Sequence, residues 1–373
     1  MKKQNLPQNR RIIISGGGTG GHIFPAIAIA QALEKRDKSM RILFVGAEDK
    51  MEMERVPAAG FEILGLPVVG LQRRVTIKNL AFPFKLIRSM KMAAKVLKDF
   101  KPHAVVGVGG YASGPVLRVA ARMKIPALIQ EQNSIAGITN RILARKAEKI
   151  CVAYEGMEKF FPAEKIIVTG NPVRDDLESV AEKREEGYAF FELDKRYPVI
   201  LIMGGSLGAR TINESVWQNF DLVTRSNVQL IWQTGRLYYR EAVEKISGMN
   251  AGNIRVYEFI SRMDLAYASA DLVISRAGAG TVAELCLVSK PAILVPSPNV
   301  TGDHQTMNAR KLVSKEAAIL VRDSEGTERL MKIALELVND PESLKNMAEN
   351  IGKLAVKNSA DRIAEEVLNL IKE

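Results

Sequence analysis

Short apolar runs alternate with helical stretches along almost the whole chain. In the first half the runs are residues 11–15 (RIIIS), 41–47, 103–109, 126–132, 149–154 and 165–171. Strands that are apolar along their whole length are buried on both faces, and the helices between them favour parallel pairing. The alternation therefore predicts an α/β fold in which helices cover both faces of a parallel sheet.

The alternation breaks once, over the charged stretch 175–196, and restarts with PVILIMGG at residues 198–205. The later runs are residues 228–235, 254–259, 271–278, 291–297 and 317–323. RIIISGGGTGG and PVILIMGGSLGA share one order: an apolar strand, paired glycines, a hydroxyl residue and a further glycine. We therefore predict two doubly wound, Rossmann-like domains, 1–172 and 173–355, and a C-terminal helix over 356–373 that packs on the first domain.

The net charge of +11 predicts an acidic partner, which is a nucleic acid, an anionic membrane or a phosphorylated substrate. Aromatic residues that could stack on bases are not interleaved with the basic ones, so no nucleic acid is expected. Cys151 and Cys286 stand far apart in apolar surroundings, which indicates a reducing cytosolic compartment rather than a disulfide framework. No apolar run of the sequence is long enough to span a bilayer.

Two glycine-rich segments follow strands of the first half. ISGGGTGGH (residues 14–22) ends in one of three histidines, and GVGGYASGP covers residues 107–115. Glycine lets a bulky group approach the backbone N–H groups, and such a loop before a helix is a typical phosphate site. His22 stands at a helix entrance, and its pKa near neutrality makes it a candidate for proton transfer. A structural histidine is the alternative.

Residues 16–21 also fit G-x-G-x-x-G, so a dinucleotide-binding domain is a rival interpretation. That motif requires an acidic residue at the end of the second strand, and Glu48 lies several residues later than usual. A tight turn with no ligand is the other alternative. A P-loop is excluded, because no Gly-Lys-Ser or Gly-Lys-Thr follows these glycines.

In the second half, SRAGAGTVAEL (275–285) indicates a strand, a glycine turn and a helix that begins near Gly280. The N–H groups of that helix start can hold a diphosphate. Glu284, one turn further on, is placed to accept hydrogen bonds from ribose hydroxyls. Its alternative is an acidic residue that the helix dipole favours. The polar loop 296–310, which contains Gln305, is a further candidate.

Seven motifs occur in the order found in the MurG family, which this chain resembles. They are GGGTGGHIFPAIAIA, GVGGYASGP, QEQNSIAGITNR, GNPVR, GGSLGAR, SRAGAGTVAE and DHQTMNAR. The resemblance runs from about residue 11 to the C-terminus. It implies the GT-B fold, in which two Rossmann-like domains face each other across a cleft. It also implies an inverting transfer of N-acetylglucosamine from UDP-N-acetylglucosamine to undecaprenyl-diphosphate-linked muramoyl-pentapeptide (lipid I to lipid II) in peptidoglycan synthesis.

The resemblance further implies which residues bind the two substrates. Backbone groups at Phe259 and Ile260 would read the uracil, and Glu284 would accept from the ribose. The expected contacts of the donor diphosphate are Arg174, Ser206, Ala277, Gly278, Ala279, Gly280 and Thr281. The expected contacts of the donor sugar are Thr19, Asn133 and Gln305. The expected acceptor contacts are Gly18, Gly20, Gly21, Gly109, Gly110, Tyr111 and Ser113.

One residue departs from the family pattern. Leu207 stands in GGSLGAR where many relatives carry Gln, so no contact is expected from it, and the roles of Asp303 and His304 stay open. An inverting transfer needs a base for the acceptor hydroxyl, for which His22 is the candidate. Helix N-termini and Arg174 can stabilise the departing diphosphate. The chain has no Asp-x-Asp motif, so neither a metal nor a cofactor is expected.

A basic segment over residues 73–98 contains apolar residues and a helical repeat of Lys and Arg. We expect it to hold the protein on the anionic inner-membrane surface, at the cytoplasmic face, although a solvated surface helix is the alternative. Three rival functions stay open: a glycolipid-forming transferase that acts on diacylglycerol, a UDP-sugar 2-epimerase, and a nucleotide-binding module without catalytic activity.

Overall fold

The computed structural model describes residues 9–68, 82–174, 177, 179–249 and 251–372. These residues form two compact units. The first runs to Arg174 and resumes at Lys357, and the second comprises the residues between them, up to Val356. Among the described residues, no helix combines the length and the apolar character that a bilayer crossing requires.

The first unit contains a parallel sheet of seven strands in the order β3-β2-β1-β4-β5-β6-β7. The strands are β1 (Arg11–Ser15), β2 (Arg41–Ala47), β3 (Glu62–Leu66), β4 (Ala104–Gly107), β5 (Ala127–Glu131), β6 (Lys149–Val152) and β7 (Ile166–Val168). The helices are α1 (Gly20–Arg36), α2 (Glu52–Ala58), α3 (Phe82–Phe100), α4 (Ser113–Arg122) and α5 (Ile138–Leu143). Edge strand β3, which is half exposed, is absent from the sequence prediction.

The second unit contains a parallel sheet of six strands in the order β10-β9-β8-β11-β12-β13. Its helices begin with α6 (Arg184–Phe190). The strands are β8 (Val199–Met203), β9 (Gln229–Gln233), β10 (Ile254–Tyr257), β11 (Leu272–Ser275), β12 (Ala292–Leu294) and β13 (Ile319–Leu320). The later helices are α7 (Arg210–Gln218), α8 (Phe220–Thr224), α9 (Tyr239–Ile246), α10 (Met263–Ser269), α11 (Ala279–Leu287), α12 (His304–Val313), α13 (Asp323–Val338) and α14 (Pro341–Gly352).

Helix α15 (Ser359–Lys372) belongs to the first unit. Its apolar face, which includes Ile363 and Val367, is fully buried in one cluster with Ile12, Ile14 and the apolar face of α1. The Lys149 Nζ atom lies 2.7 Å from Glu366 Oε2 and adds an ion pair between β6 and this helix. The prediction that the C-terminal helix packs on the first domain is therefore confirmed.

Both sheets reverse their strand order at the same place. The first strand of each unit pairs with the fourth, β1 with β4 and β8 with β11, while the second strand lies on the other side. Loops that leave two neighbouring strands in opposite directions open a crevice at the carboxyl ends of those strands, where ligands bind in such folds. The glycine-rich segments of the sequence start at these ends.

Candidate active site

The two glycine loops of the first unit are in direct contact. A Cβ atom on Gly110, whose φ is +83°, would lie 2.3 Å from Gly17 O, and one on Gly16 would lie 2.1 Å from the Val108 side chain. These positions therefore accept only glycine. The structure thus brings together the loop that contains Gly18 and the loop that contains Gly110, one after β1 and the other after β4.

His22 lies where these loops meet. Its Nδ1 atom is 3.1 Å from Gly17 O and 3.3 Å from Oγ1 of Thr19, the exposed residue that precedes α1. A carbonyl oxygen only accepts, so the contact with Gly17 is a hydrogen bond when Nδ1 carries the proton. In the neutral ring Nε2 then carries the lone pair. The Cδ2–Nε2 edge of the ring packs on Gly109, since a Cβ atom built on Gly109 would lie 3.0 Å from His22 Cδ2 and 3.0 Å from His22 Nε2.

The residues that lead into the two helices differ in exposure. Gly20 and Gly21 are the first residues of α1. Tyr111 is 58% exposed, whereas Ser113 is fully buried at the start of α4. The Ser113 hydroxyl donates to Gly110 O at 3.0 Å. Ser113 therefore shapes the second glycine loop and does not present its hydroxyl at the surface.

Sequence reasoning missed Glu52, the first residue of α2, which is 1% exposed. Its two carboxylate oxygens accept from Gly18 N at 3.1 and 3.0 Å, and Oε1 also accepts from Ala47 N at 2.9 Å. A Cβ atom on Gly17 would lie 2.0 Å from Oε1. Acidic residues are rarely buried, and no spacing in the sequence relates position 52 to the glycine loop.

A second buried carboxylate, Glu131, organises the loop after β5. It accepts from Asn133 N at 3.1 Å, Asn133 Nδ2 at 3.3 Å, Gly137 N at 2.9 Å and Asn140 Nδ2 at 2.9 Å. Asn140 in turn reaches the second glycine loop, because a Cβ atom on Gly109 would lie 3.7 Å from its Nδ2. Glu131 therefore holds the partly exposed Asn133 close to that loop. Sequence reasoning named Asn133 and missed Glu131.

Arg174 places its charge at the beginning of α1. Its guanidinium carbon lies 5.7 Å from the ring centroid of Phe24, within cation–π range. The same ring lies beside Gly20, where a Cβ atom would be 3.1 Å from Phe24. Both Arg174 and the helix start are therefore sources of positive potential in one part of the first unit.

An apolar cavity of about 240 Å³ lies between α3, α4 and α5, with Tyr111 at its border. Its apolar lining includes Leu86 and Ile142, and two cations, Lys85 and Arg118, also line it. The first turns of α3 beside the cavity are exposed, with Phe84 at 76% exposure. The cavity therefore joins an apolar, basic surface to the second glycine loop.

In the second unit, one buried side chain connects two predicted donor segments. Gln233, at the end of β9, donates from Nε2 to Gly205 O at 3.4 Å, and its Oε1 accepts from Ile260 N at 2.9 Å. Gly205 precedes the half-buried Ser206, and Phe259 precedes Ile260. The Ile260 N–H is thus engaged within the protein by the Gln233 side chain.

The turn after β11 leads directly into α11. Gly278 is the residue before the helix, and its first residues are Ala279, Gly280 and Thr281. Glu284, in the second turn and half-buried, accepts at Oε2 from the hydroxyl of Tyr267 at 2.9 Å. Because Tyr267 is fully buried in α10, this bond fixes the direction of the carboxylate.

Helix α12 is tied to that turn. Asn308, which is fully buried, donates from Nδ2 to Ala277 O at 3.2 Å. Gln305 is the second residue of the helix, and its Oε1 accepts from Ser297 N at 2.8 Å. Asp303 has a left-handed backbone, φ +51°, and its Oδ1 accepts from the threonine hydroxyl three residues on. Asp303 therefore immediately precedes the helix that carries Gln305, and His304 is the first residue of that helix.

Two family models match the chain. The glycosyltransferase family 28 N-terminal domain matches residues 12–152, and the C-terminal domain of the same family matches residues 199–365. The crystal structure of Acinetobacter baumannii MurG has a TM-score of 0.75 and 30% identity, and the match covers 96% of this chain and 99% of that one. A UDP-N-acetylglucosamine 2-epimerase structure, with a TM-score of 0.67 and 15% identity, shows likeness of fold alone.

Curated relatives match over nearly their whole length. A Parabacteroides distasonis protein is 56% identical over 97% of this chain and 98% of its own. Its name is UDP-N-acetylglucosamine–N-acetylmuramyl-(pentapeptide) pyrophosphoryl-undecaprenol N-acetylglucosamine transferase. A Porphyromonas gingivalis protein of the same name is 53% identical over 100% of this chain and 98% of its own.

Two Rossmann-like units, each with a glycine loop at its switch point, together with the match to the MurG crystal structure, define the GT-B fold class. The chain belongs to glycosyltransferase family 28 and, within it, to the MurG family.

Proposed function

We propose that this enzyme transfers N-acetylglucosamine from UDP-N-acetylglucosamine to undecaprenyl-diphosphate-linked N-acetylmuramoyl-pentapeptide. The observation that carries the proposal is 56% identity, over 97% of the chain, to an enzyme named for this reaction. The glycine loops follow the carboxyl ends of strands, where ligands bind in doubly wound sheets, and His22 and Glu284 lie in the helices that come directly after them. The reaction completes the lipid-linked disaccharide precursor of peptidoglycan.

His22 acts as the general base in this proposal. Its Nε2 takes the proton from the acceptor's sugar hydroxyl as that oxygen attacks the anomeric carbon of the donor. The bond between the sugar and the diphosphate breaks, the configuration inverts and UDP leaves with the electron pair. The contact of Nδ1 with Gly17 O supports the assignment, because it leaves the lone pair on the nitrogen at the other edge of the ring.

The second unit binds the uridine of the donor. Glu284, whose carboxylate is oriented by the Tyr267 hydroxyl, accepts from the ribose hydroxyls, and backbone groups of Phe259 and Ile260 contact the uracil. The proposed diphosphate contacts are Arg174, Ser206, Ala277, Gly278, Ala279, Gly280 and Thr281. A helix N-terminus and a guanidinium both stabilise the charge that grows on the leaving diphosphate. The proposed sugar contacts are Thr19, Asn133 and Gln305.

The first unit binds the acceptor, with its diphosphate at the two touching glycine loops. The proposed backbone contacts are Gly18, Gly20, Gly21, Gly109 and Gly110. Tyr111, which is exposed, is the proposed side-chain contact, while the buried Ser113 supports the loop from within.

The membrane-facing surface is proposed on residues 73–98, of which 73–81 lie outside the described residues. Residues 82–98 lie in α3, where Phe84 and Ile87 are exposed beside Lys85 and Arg88. Exposed apolar side chains with basic neighbours suit the anionic surface of the cytoplasmic face of the inner membrane, because the apolar side chains can contact the lipid tails while the cations bind the anionic headgroups. The apolar cavity continues this surface to Tyr111, where a lipid-linked acceptor would enter.

Incubation with radiolabelled UDP-N-acetylglucosamine and three alternative acceptor conditions tests the function. A short-chain lipid-linked muramoyl-pentapeptide should receive the label, and diacylglycerol should not. Without acceptor, the donor sugar should keep its configuration at C2. Label on diacylglycerol would identify a glycolipid-forming transferase, and epimerised donor would identify a 2-epimerase. Donor binding with no reaction under any of the three conditions would identify the protein as a nucleotide-binding module without catalytic activity.

A further inference from the structure

We propose that Glu52 fixes which nitrogen of His22 carries the proton, through a single peptide group between them. The proposal rests on the role of His22 as the base given above. Glu52 does not touch a substrate in this arrangement, so it is a positioning residue for the reaction.

Glu52 is anchored to the sheet before it reaches the glycine loop. Its Oε1 accepts from the N–H of Ala47, the last residue of β2, at 2.9 Å. Both of its oxygens lie within 3.1 Å of Gly18 N. At 1% exposure the carboxylate has these backbone donors in place of water, so its direction is set by the sheet and the loop together.

The Gly18 N–H and the Gly17 C=O belong to the same peptide group. A trans peptide is planar, and its N–H and C=O point in opposite directions. Holding the N–H towards Glu52 therefore directs the carbonyl oxygen away from Glu52. That oxygen lies 3.1 Å from His22 Nδ1. The Glu52 carboxylate, the Gly18 N–H, the Gly17 C=O and the His22 Nδ1–H thus follow one another in a continuous chain of hydrogen bonds.

The chain has two consequences for the reaction. A free peptide between glycines can rotate as a unit, but here the carboxylate holds one orientation, in which Nδ1 can form a hydrogen bond with the Gly17 carbonyl only as the donor. The carboxylate also polarises the peptide, which strengthens the second hydrogen bond. When Nε2 takes the acceptor proton, the positive ring is stabilised by the carbonyl oxygen and, beyond it, by the negative charge of Glu52.

The packing around the Glu52 carboxylate leaves no room for a side chain at the two glycines that border it. A Cβ atom on Gly17 would lie 2.0 Å from Glu52 Oε1, and one on Gly46 would lie 2.6 Å from Glu52 Cγ. Gly17 itself has a φ of +149°. A glycine at position 17 is thus needed to leave space for the Glu52 carboxylate as well as to let a ligand approach the loop.

Ring nitrogen NMR of protein labelled with ¹⁵N-histidine tests the proposal directly. The chain has three histidines, so the His22 signals are those that disappear in His22→Gln. In the wild-type protein the neutral ring should carry its proton on Nδ1. In Glu52→Gln the population should shift towards the Nε2–H form that free histidine favours, since a neutral amide oxygen holds and polarises the Gly18 N–H less strongly than a carboxylate does. Glu131→Gln, which removes the buried carboxylate of the loop after β5, should leave the tautomer as in wild type.

Kinetics provides the second readout. Glu52→Gln should lower kcat by about 10- to 100-fold, the usual cost of losing a group that orients a functional histidine. Its donor Kd, measured by calorimetry, should match wild type, because the proposed contacts of the donor's uridine, Phe259, Ile260 and Glu284, lie in the second unit.

An Nε2–H tautomer in the wild-type protein would overturn the proposal without any variant, as would an unchanged tautomer in folded Glu52→Gln. These outcomes are independent of the substrate: loss of the proposed transferase function would appear as no label transfer by the wild-type protein, whatever its tautomer.

Discussion

Replacing Glu284 with alanine removes two interactions that can be measured separately. One is internal, the hydrogen bond from the buried Tyr267 hydroxyl at 2.9 Å. The other is the proposed contact of the carboxylate with the ribose hydroxyls of the donor. The first affects the free energy of unfolding, and the second affects the Kd for UDP-N-acetylglucosamine.

The two magnitudes follow from the bonds that are lost. Leaving the buried Tyr267 hydroxyl without this acceptor should lower the free energy of unfolding by about 1–3 kcal/mol. Hydrogen bonds to a charged carboxylate contribute about 1.5–3 kcal/mol. At about 1.4 kcal/mol per factor of ten, their loss should raise the donor Kd by about 10- to 150-fold.

Calorimetry with UDP-N-acetylglucosamine and denaturant unfolding separate these effects when two control variants are included. Tyr267→Phe removes the internal bond alone, so its stability should fall while its donor Kd stays close to wild type. Glu284→Gln keeps an acceptor for Tyr267, so its stability should be nearly that of wild type and its Kd should rise. A Glu284→Ala protein that loses stability but binds the donor normally would refute the ribose contact and leave Glu284 as a support for Tyr267.

Two further predictions concern the membrane surface and the stability of the second unit. Charge reversal at Lys85, Arg88 and Lys91 should weaken co-sedimentation with anionic vesicles, by about 1 kcal/mol per residue at low salt, and leave binding to neutral vesicles unchanged. If the variant binds anionic vesicles as well as the wild-type protein does, the membrane surface lies elsewhere. The Arg262 guanidinium holds the pKa of the Asp264 carboxyl well below its usual value, so this carboxylate stabilises the fold above about pH 4 and the contribution is lost as the pH falls through the lower pKa. Asp264→Asn should therefore lower the free energy of unfolding by about 1.5–3 kcal/mol at neutral pH, and denaturant titrations should show the difference from wild type shrinking below pH 4; a constant difference would exclude this ionic contribution.

The strands that are buried on both faces were predictable, because each is a continuous apolar run. β3 was not, since as an edge strand it exposes alternate residues and its short apolar pattern is weak. Helix α1 begins at Gly20, although adjacent glycines disfavour a helix in isolation. In the folded chain the apolar face of α1 packs in the core with α15, which outweighs that preference.

The candidate site was predictable only in part. Glycine loops and a histidine at a helix entrance carry a local signal, so His22 and Glu284 could be named from the sequence. Which loops touch depends on strand order, and a sequence does not state that β1 lies beside β4. The buried carboxylates Glu52 and Glu131 act on backbone groups fixed by the tertiary fold, so nothing in their own segments distinguishes them from solvated acids.

Turnover by His22→Ala, measured beside the wild-type enzyme with a short-chain lipid-linked muramoyl-pentapeptide, tests the central claim most directly. The claim is that this imidazole, held where two glycine loops meet, takes the acceptor proton. The variant should show a kcat lower by about 10²–10⁴-fold, the range for loss of a general base, with its donor Kd by calorimetry unchanged. A folded variant with near-normal kcat would contradict the claim and assign His22 to the structure of the loop.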